Sequence, residues 1–548
     1  MNWSDQRRES GTGGNEDQVF QGRPSTLARN GLVCAPHYLA AQAGLAIVQA
    51  GGNAVDAAIA ASAVLAVVYP VLCGIGGDLF LILYHAPSDT LAALDAAGRS
   101  GSLATPERVR TLGYTEMPRR GPLAVSVPGA VDGWAMAAER FGRLGLARCL
   151  EPAIRYAEEG FGVTPLLARS LALVASSDWV HPSWLALYAP GGVAPRAGSV
   201  LQLPALARTL RLIAEHGRDV FYQGEIARAI AAFLEREGGF VTYDDLAMHH
   251  GRWVEPLSID YHGYTIYELP PPTQGVAALQ ALRLMAGLPL GTDPLDALTV
   301  HVQVEAKKLA FADRAAHLAD PAFMRVDPRA LLDDAYLDAR RALIDPRRAR
   351  AVASSAASGD TIYLCAADGE GTIVSLIQSN YMGVGSGLAV PEYGVQLHNR
   401  GAYFSLDPGH VNVLAPRKQP LHTLIPSLAF RAGRPRIALG TQGGDGQPQI
   451  HQQLYAMLID FGLDVQQAIE LPRWVHGRGM PGDPAGLLME SRFPEHTVQR
   501  LREMGHEVVL TEPWTGACGH AQAIVIDADK GLFAGGADPR ADGMAAGY

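Results

Sequence analysis

The sequence predicts an α+β fold built around antiparallel sheets. Segments with helical and with strand periodicity are mixed along the chain, and the strands of its C-terminal third follow one another at hairpin-like spacing. Hydrophobic residues make up 48% of the 548 residues and charged residues 18%, which is enough apolar material for a large core. The pattern favours this plan over a Rossmann plan.

The first hundred residues predict two helices between strands. Residues 1–24 are polar and aperiodic, which is typical of a flexible arm. A short apolar strand at 31–34 leads into a helix at 36–50. After a Gly-Gly-Asn turn, the alanine-rich residues 54–68 form a helix that is apolar nearly all round and therefore buried. A strand is predicted at 79–83.

The middle of the chain is predicted to be mostly helical, between residues 130 and 240. A strand follows at 262–270, and a long helix occupies 295–319. Residues 352–360 are small and polar without hydrophobic periodicity, which indicates a surface loop or linker.

Strand patterns dominate after that linker. They cover the following segments, the last of which precedes a glycine-rich tail: 361–367, 372–378, 424–430, 437–439 and 521–526.

Composition excludes several classes of protein. A formal charge of −10 and a pI near 5.9 argue against a dedicated nucleic-acid binder. The five cysteines are scattered, without a CxxC pair, so neither a disulfide scaffold nor a structural zinc site is expected. The longest apolar run, at 57–72, is too short and too broken for a membrane span. No apolar signal segment is visible at the N-terminus, so a cytoplasmic location is expected.

Thr361 opens a predicted strand directly after the linker, and two interpretations stand beside each other. A β-branched residue commonly starts a strand. Alternatively, cleavage of the chain before Thr361 would free an α-amino group, which can act as general base for the threonine's own hydroxyl. An α-amine with a pKa of about 7.7–8.0 accepts a proton at physiological pH without help from a histidine.

Five separated motifs between residues 30 and 545 carry a resemblance to a known family. They are 51–58 (Gly-Gly-Asn-Ala-Val-Asp-Ala-Ala), 74–78 (Gly-Ile-Gly-Gly-Asp), 127–129 with Gly133-Trp134, 305–314, and Asp360-Thr361 with Asp368. In this order they resemble the signatures of the γ-glutamyltransferases, also called γ-glutamyltranspeptidases or glutathione hydrolases. The resemblance favours the nucleophile interpretation of Thr361.

The resemblance implies a fold and a processing event. The fold is a four-layer αββα sandwich of the N-terminal nucleophile hydrolase type. The precursor would cleave itself between Asp360 and Thr361, giving a large subunit (25–360) and a small subunit (361–548) that together form one domain. No cofactor and no metal are implied, and the partner is a small amide substrate.

The resemblance also assigns catalytic roles. Thr361 matches the nucleophile, and Ser379 matches the hydroxyl that holds it in position. Asn380 stands one residue earlier than the family's asparagine. Gly443 and Gly444 match the pair whose backbone amides form the oxyanion hole, a task for which glycine permits close approach to the reacting carbonyl.

The predicted substrate-binding residues depart from the usual pattern. Arg400 and Tyr403 stand where typical members have a Gln and an Asp that bind the glutamyl α-amino group, and His422-Thr423 replaces a serine pair. Arg99 lies near, but not at, the position of the carboxylate-binding arginine. These changes resemble the subgroup that includes oxamate hydrolases and class IV cephalosporin acylases.

The expected function is that of an amidohydrolase or acyltransferase acting on γ-glutamyl compounds such as glutathione or on a related small amide. One alternative is an oxamate- or glutaryl-amide hydrolase of the same family. Another is an uncleaved binding protein without catalysis. Because a cationic amine would lose its acidic partner and meet the like charge of Arg400, γ-glutamyl anilides are expected to be poor substrates.

Overall fold

The computed structural model describes residues 22–350, 360–477 and 486–548. Its strands are β1 (Thr26–Ala28), β2 (Gly31–Ala35), β3 (Asp78–His85), β4 (Thr90–Asp95), β5 (Phe161–Gly162), β6 (Val200–Leu201), β7 (Arg252–Val254), β8 (Leu257–Tyr261), β9 (Tyr264–Glu268), β10 (Asp360–Asp368), β11 (Ile373–Tyr381), β12 (Ala389–Val390), β13 (Val395–Gln396), β14 (Ser427–Arg431), β15 (Arg434–Thr441), β16 (Trp474–His476), β17 (Leu487–Glu490), β18 (Val508–Thr511), β19 (Ala521–Asp527), β20 (Leu532–Ala537) and β21 (Met544–Gly547).

Seventeen α-helices lie between or beside these strands in the described ranges. They are α1 (Tyr38–Gln49), α2 (Ala54–Val68), α3 (Pro106–Thr111), α4 (Ala130–Phe141), α5 (Leu146–Glu159), α6 (Pro165–Ala175), α7 (Pro182–Tyr188), α8 (Pro204–His216), α9 (Asp219–Tyr222), α10 (Glu225–Glu237), α11 (Tyr243–Ala247), α12 (Gly275–Met285), α13 (Ala297–His317), α14 (Asp334–Arg341), α15 (Gln447–Ile459), α16 (Val465–Glu470) and α17 (Glu495–Glu503). None of the helices in the described ranges combines the length and the apolar character needed to cross a bilayer.

Two seven-stranded sheets organise the molecule. Sheet I has the order β21-β2-β10-β11-β3-β4-β7, and sheet II has the order β1-β20-β19-β15-β14-β9-β8. Neighbouring strands in both sheets are antiparallel. The predicted mixture of helices with antiparallel sheets is therefore confirmed. Each sheet takes strands from both sides of the predicted cleavage point, whereas the division into 25–360 and 361–548 itself stays a prediction.

The two sheets face each other across an apolar cluster, and helices cover their other faces. Tyr363 and Cys365 of β10 lie in the cluster between the sheets, together with Leu428 and Ile524 of sheet II. Ile362, the neighbour of Tyr363, points the other way, into a cluster shared with α1, α2, α4 and α5. A third cluster packs α12, α13, α15 and α16 against sheet II. The period-2 alternation of β10 thus gives it two buried faces.

Helix α2 matches the predicted residues 54–68. Asn53 caps it, with its side chain accepting from the backbone N–H of Val55 and Asp56, and the Asp56 carboxylate accepts from the Asn53 N–H over 3.0 Å. Asp368 Oδ2 accepts from the N–H of Ala54 over 2.9 Å. The motif at 51–58 and Asp368 therefore fix the start of a buried helix, since each satisfies an N–H that the helix leaves unpaired.

The prediction that 521–526 is the last strand of the chain is wrong. Residues beyond that strand form β20 and β21, which extend sheet II and sheet I respectively. A Cβ at Gly535 would lie 2.8 Å from Cys34 Sγ, so glycine is required where the two sheets approach each other. The predicted arm falls almost wholly on residues 1–21 and the predicted linker on 351–359, outside the described residues.

Candidate active site

The hydroxyl of Thr361 lies buried beside that of Ser379. The antiparallel pairing of β10 with β11 brings the two residues together, and only 1% of the surface of Thr361 is exposed. Thr361 Oγ1 donates a hydrogen bond to Ser379 Oγ over 3.1 Å. The backbone N–H of Tyr381, a residue with φ of 77°, donates to the same oxygen over 2.7 Å. This geometry suits the predicted role of Ser379 in positioning Thr361.

Asn380 fills the space above the glycine turn at 74–78. Its side chain is fully buried, and neither amide atom has a hydrogen-bond partner among the described residues. A Cβ at Gly77 would lie 2.7 Å from Asn380 Oδ1, and one at Gly74 would lie 3.3 Å from Nδ2. The glycines are needed because the amide packs directly on the turn. A buried amide with unmet hydrogen bonds suits contact with a bound molecule.

The Gly443-Gly444 pair lies where β15 leaves sheet II and the chain turns into α15. Both residues have positive φ, 144° and 55°, which strongly favours glycine. Three residues earlier, a Cβ at Gly440 would lie 2.3 Å from the ring of Tyr363, so β15 packs closely on β10. The glycine pair is thereby held near the start of β10, and the adjacent N-terminus of α15 favours negative charge.

Arg400 is a buried cation that forms no ion pair with any residue in the described part of the chain. Its guanidinium lies 4.1 Å from the centre of the Tyr381 ring, and Nη1 donates to Thr423 Oγ1 over 3.0 Å. Its Nε and Nη2 have no hydrogen-bond partner among the described residues. Burial lowers the pKa of the guanidinium. A fully buried charge with unmet donors is costly to a protein, which points to a ligand that supplies the missing acceptors.

His422 shares a buried electrostatic cluster with Asp78. His398 Nδ1 lies 3.2 Å from Asp78 Oδ2, and His422 Nε2 lies 3.5 Å from it. Burial raises the pKa of Asp78, but His398 and the backbone N–H of Gly98, which donates to Asp78 Oδ1, lower it to about 2. Burial, reinforced by the charge of Arg400, holds the pKa of His422 well below its usual value. His422 is therefore neutral at physiological pH, and its ring nitrogens make no hydrogen bond within the described chain.

Hydrogen bonds link Tyr403 to the glycine pair through Asp445. Its hydroxyl donates to Asp445 Oδ1 over 2.7 Å, and Arg314 Nη1 donates to the same oxygen over 2.6 Å. Arg314 Nη1 also donates to Gln274 Oε1, and Gln274 Nε2 donates to the carbonyl of Gly444 over 2.9 Å. The hydroxyl of Tyr403 is thus engaged by the protein, and the network fixes the turn that follows Gly443.

Sequence reasoning missed several members of this site. Three of them are charged residues in otherwise apolar segments: Asp78 and Arg314 end two of the motifs, and Asp445 follows the glycine pair. That charge was a signal from which their place in the site could have been predicted. Nothing in the sequence marked Gln274 or His398, since a neutral polar side chain gains its role only from its neighbours in space.

The structure places Arg99 apart from the other predicted substrate ligands. Its Nη1 donates to Asp320 Oδ2 over 2.9 Å and to the carbonyl of Arg417 over 3.1 Å, and 42% of its side chain is exposed. Thr361 is hydrogen-bonded to Ser379 and Arg400 to Thr423, and Tyr381 contacts both pairs. Within the described residues, the side chain of Arg99 bonds only Asp320 and the carbonyl of Arg417. Its predicted role in binding substrate stays a prediction.

A buried hydroxyl, a glycine turn at a helix N-terminus, and a buried cation with unmet donors within the described chain suit acyl transfer to an oxygen nucleophile. Comparison with known proteins agrees. The family model described as gamma-glutamyltranspeptidase matches residues 40–548. The chain therefore belongs to the gamma-glutamyltranspeptidase family, as the motifs predicted, and it is a hydrolase of that family.

Its relatives include several kinds of amide hydrolase. The "Glutathione hydrolase-like YwrD proenzyme" of Bacillus subtilis (strain 168) is 40% identical, over 95% of this chain and 99% of its own length. The "Oxamate amidohydrolase proenzyme" of Klebsiella pneumoniae subsp. pneumoniae is 41% identical, over 96% and 99%. A cephalosporin acylase from Bacillus halodurans has a similar structure, with a TM-score of 0.91, 41% identity and coverage of 98% and 99%.

Proposed function

We propose that this hydrolase is a self-cleaving N-terminal threonine amidohydrolase that acts on small amides bearing a carboxylate. The observation that carries the proposal is the fully buried Arg400, whose Nε and Nη2 have no acceptor within the described chain. The buried contact between Thr361 and Ser379 supports the nucleophile, and the word "proenzyme" in the names of two relatives supports processing.

Self-cleavage would use the hydroxyl that later serves in turnover. Thr361 Oγ1 attacks the carbonyl carbon of Asp360, a C–O bond forms, and the C–N bond between the two residues breaks. The freed α-amino group of Thr361 takes the proton. Water then hydrolyses the ester, which restores the hydroxyl and leaves a carboxylate on Asp360. Ser379 supports this step because its hydrogen bond fixes the Thr361 side chain.

Turnover would repeat the attack on a substrate amide. The α-amino group accepts the proton of Thr361 Oγ1 and passes it to the leaving amine. The backbone N–H groups of Gly443 and Gly444 stabilise the negative charge on the substrate oxygen. Water resolves the acyl-enzyme, or an amine does so if the reaction is transfer. The Tyr403–Asp445–Arg314 network supports the required rigidity of the glycine turn.

The unmet donors of Arg400 support a substrate that carries an anionic group on its acyl side. Its two unmet donors match the two oxygens of a carboxylate, the pairing for which the planar guanidinium is best suited. Neutral His422 and Thr423 lie beside it and offer further polar atoms. A γ-glutamyl group would also bring a cationic amine, which needs an acid as its partner. Asp445, the acid next to the Gly443-Gly444 turn, is already bonded to Tyr403 and Arg314. Oxamate and glutaryl amides carry a carboxylate without that amine.

The arrangement of the layers supports the N-terminal nucleophile hydrolase type. Helices α1, α2, α4 and α5 pack on the outer face of sheet I, and α12, α13, α15 and α16 pack on that of sheet II. The apolar cluster between the sheets completes an order of helix, sheet, sheet, helix. We take this as the four-layer αββα sandwich that the resemblance implied.

Cleavage can be tested by denaturing electrophoresis and N-terminal sequencing of purified protein. The expected result is two pieces, one of which begins Thr-Ile-Tyr-Leu. Thr361→Ala should remain a single band near 58.2 kDa, and Thr361→Ser, which keeps a hydroxyl, should still be cleaved. A wild-type chain that stays intact after long incubation would favour the uncleaved binding protein.

The substrate class can be tested with a matched panel of oxamate, glutaryl and γ-glutamyl amides. We expect kcat/KM to be highest for an amide that has a carboxylate and no α-amino group. Robust turnover of γ-glutamyl anilide or glutathione, abolished in Thr361→Ala, would instead establish the γ-glutamyl activity suggested by the name of the Bacillus subtilis relative.

A further inference from the structure

Two histidines and a glutamate meet inside the protein away from the active site. His301 and Glu305 stand four residues apart, on one face of α13, and His506 follows α17. Exposed fractions are 0%, 3% and 6%. One ligand atom from each residue lies within 4.8 Å of the other two. The steps of the proposed reaction use none of the three.

The hydrogen bonds of His301 orient its ring as a ligand. Nε2 lies 2.8 Å from the carbonyl oxygen of Asp345, which accepts only, so Nε2 carries the proton and donates. Nδ1 is therefore the basic nitrogen, and it lies 2.8 Å from His506 Nε2. A ring held by a backbone carbonyl on one side, with its lone pair on the other, is the arrangement usual for metal-binding histidines.

We propose that His301 Nδ1, Glu305 and His506 Nε2 bind one divalent transition-metal ion of the zinc type. Two imidazoles and a carboxylate form a ligand set that zinc uses with a fourth ligand from water. Ligands at ~2.1 Å from a tetrahedral ion are about 3.4 Å apart. For the ion to enter, the two rings need to separate by about 0.6 Å from their observed contact, and the Glu305 carboxylate, now within 4.8 Å of both nitrogens, needs to reach the same ligand spacing.

Lys308 is the group that opposes binding. Its Nζ donates to Glu305 Oε1 over 2.6 Å and to the carbonyl of Arg350 over 2.8 Å, and the N–H of Arg350 donates to Glu305 Oε2 over 3.2 Å. A carboxylate has about four lone-pair positions, so Glu305 can keep these partners and still ligate an ion. The nearby ammonium weakens binding by charge repulsion, and removing it should strengthen binding.

The three ligands are distributed on both sides of Thr361. His301 and Glu305 precede the proposed cleavage point, and His506 follows it. If the chain is cleaved as the proposed function requires, a bound ion would link the large and the small subunit of the mature protein. The metal-bound form should then resist dissociation and unfolding. The binding site itself does not depend on cleavage.

The test uses the mature protein, freed of any histidine tag and treated with chelator. Zn²⁺ titrated calorimetrically should bind with a stoichiometry of one per chain and raise the thermal unfolding midpoint, and Co²⁺ should show the visible absorption of a tetrahedral nitrogen and oxygen site. His506→Ala should weaken binding by about tenfold or more. His496→Ala removes an exposed histidine from the same region, on α17, and should bind as the wild type does.

Further variants keep the result interpretable. His506→Gln retains a hydrogen-bonding side chain, so its midpoint without metal should stay near that of the wild type while binding is lost. Lys308→Met should bind Zn²⁺ more tightly. Thr361→Ala should bind it normally even if it is never cleaved, which separates this proposal from the proposed reaction. Binding unchanged in His506→Ala and His506→Gln, or no binding by the wild type, would overturn the proposal and leave a hydrogen-bonded histidine pair.

Discussion

Two groups of buried arginines show opposite solutions to the same physical problem. Arg473 and Arg540 are fully buried with Glu490 and Asp538, and each of their side-chain nitrogens donates to an acceptor. Arg540 donates to Glu490 over 2.6 and 2.7 Å and to Asp538 over 3.1 Å, and Arg473 also donates to Asp538. Arg400 is equally buried, yet two of its nitrogens lack an acceptor within the described chain.

The difference separates a charge that the fold satisfies from one whose donors the described chain leaves unmet. The paired network holds the carbonyls of Cys518 and Gly519, and Gly519 packs against the Gly443 turn, so its value lies in rigidity. The Tyr381 ring and Thr423 offset only part of the cost of burying Arg400, because two of its nitrogens have no acceptor within the described chain. On the proposed function, a bound carboxylate would remove the rest of that cost.

The largest effect should come from breaking the paired network. Arg540→Met leaves Glu490 and Asp538 buried with fewer partners, and we expect a loss of about 3–5 kcal/mol in the free energy of unfolding, measured by denaturant titration at pH 7. Arg500→Met, which removes a surface arginine paired with Glu503, should leave the midpoint unchanged. Equal effects of the two changes would contradict the assignment of a structural role to the network.

The same change at Arg400 should act on activity instead of stability. Arg400→Met removes an unpaired buried charge, so the free energy of unfolding should stay constant or rise. The kcat/KM for a carboxylate-bearing amide should fall by about 10²- to 10³-fold, while that for a neutral amide changes little. Arg99→Met should have little effect, because Asp320 already engages that guanidinium. A comparable loss in Arg99→Met would show that Arg99 binds substrate.

A smaller effect is expected at the group that supports the glycine turn. Tyr403→Phe removes the hydrogen bond to Asp445 but leaves the one from Arg314, so kcat should fall by about tenfold. Because Tyr403 is expected to act through the turn, KM should stay nearly constant. A selective rise in KM would instead support the original prediction that Tyr403 contacts the substrate.

The smallest effect concerns pH. The pKa of His422 is depressed in the folded protein by burial, whereas in the unfolded chain it titrates near 6.5. Below pH 6.5, His422 binds a proton in the unfolded chain but not in the folded protein. The free energy of unfolding therefore falls as pH falls. Between pH 6.5 and 5.5, His422→Gln should lessen this loss by about 1 kcal/mol relative to wild type. Asp78, His398 and Arg400 surround the His422 ring and are the same in the wild type and the variant. If the stability of both proteins depends on pH in the same way, His422 is protonated in the folded protein.

Local elements were predictable where short-range chemistry decides them. The alanine-rich α2 was predicted from its apolar pattern after the turn at 51–53, and the strands that became β10 and β11 were predicted from two adjacent strand patterns. Strands β20 and β21 were missed because glycine weakens the strand signal, although contact between the sheets requires glycine there. Motif order identified the family, and the comparisons confirm it.

The sequence by itself determined the helices and strands with strong periodicity, the family, and the identity of the threonine and the glycine pair as candidates for chemistry. Tertiary structure decided which polar groups are satisfied. Arg99 is bonded to Asp320 and the hydroxyl of Tyr403 to Asp445, whereas two nitrogens of Arg400 have no acceptor among the described residues. The reason is physical: a hydrogen bond or an ion pair depends on distance and burial between residues far apart in the chain, and neither quantity is written in local pattern or composition.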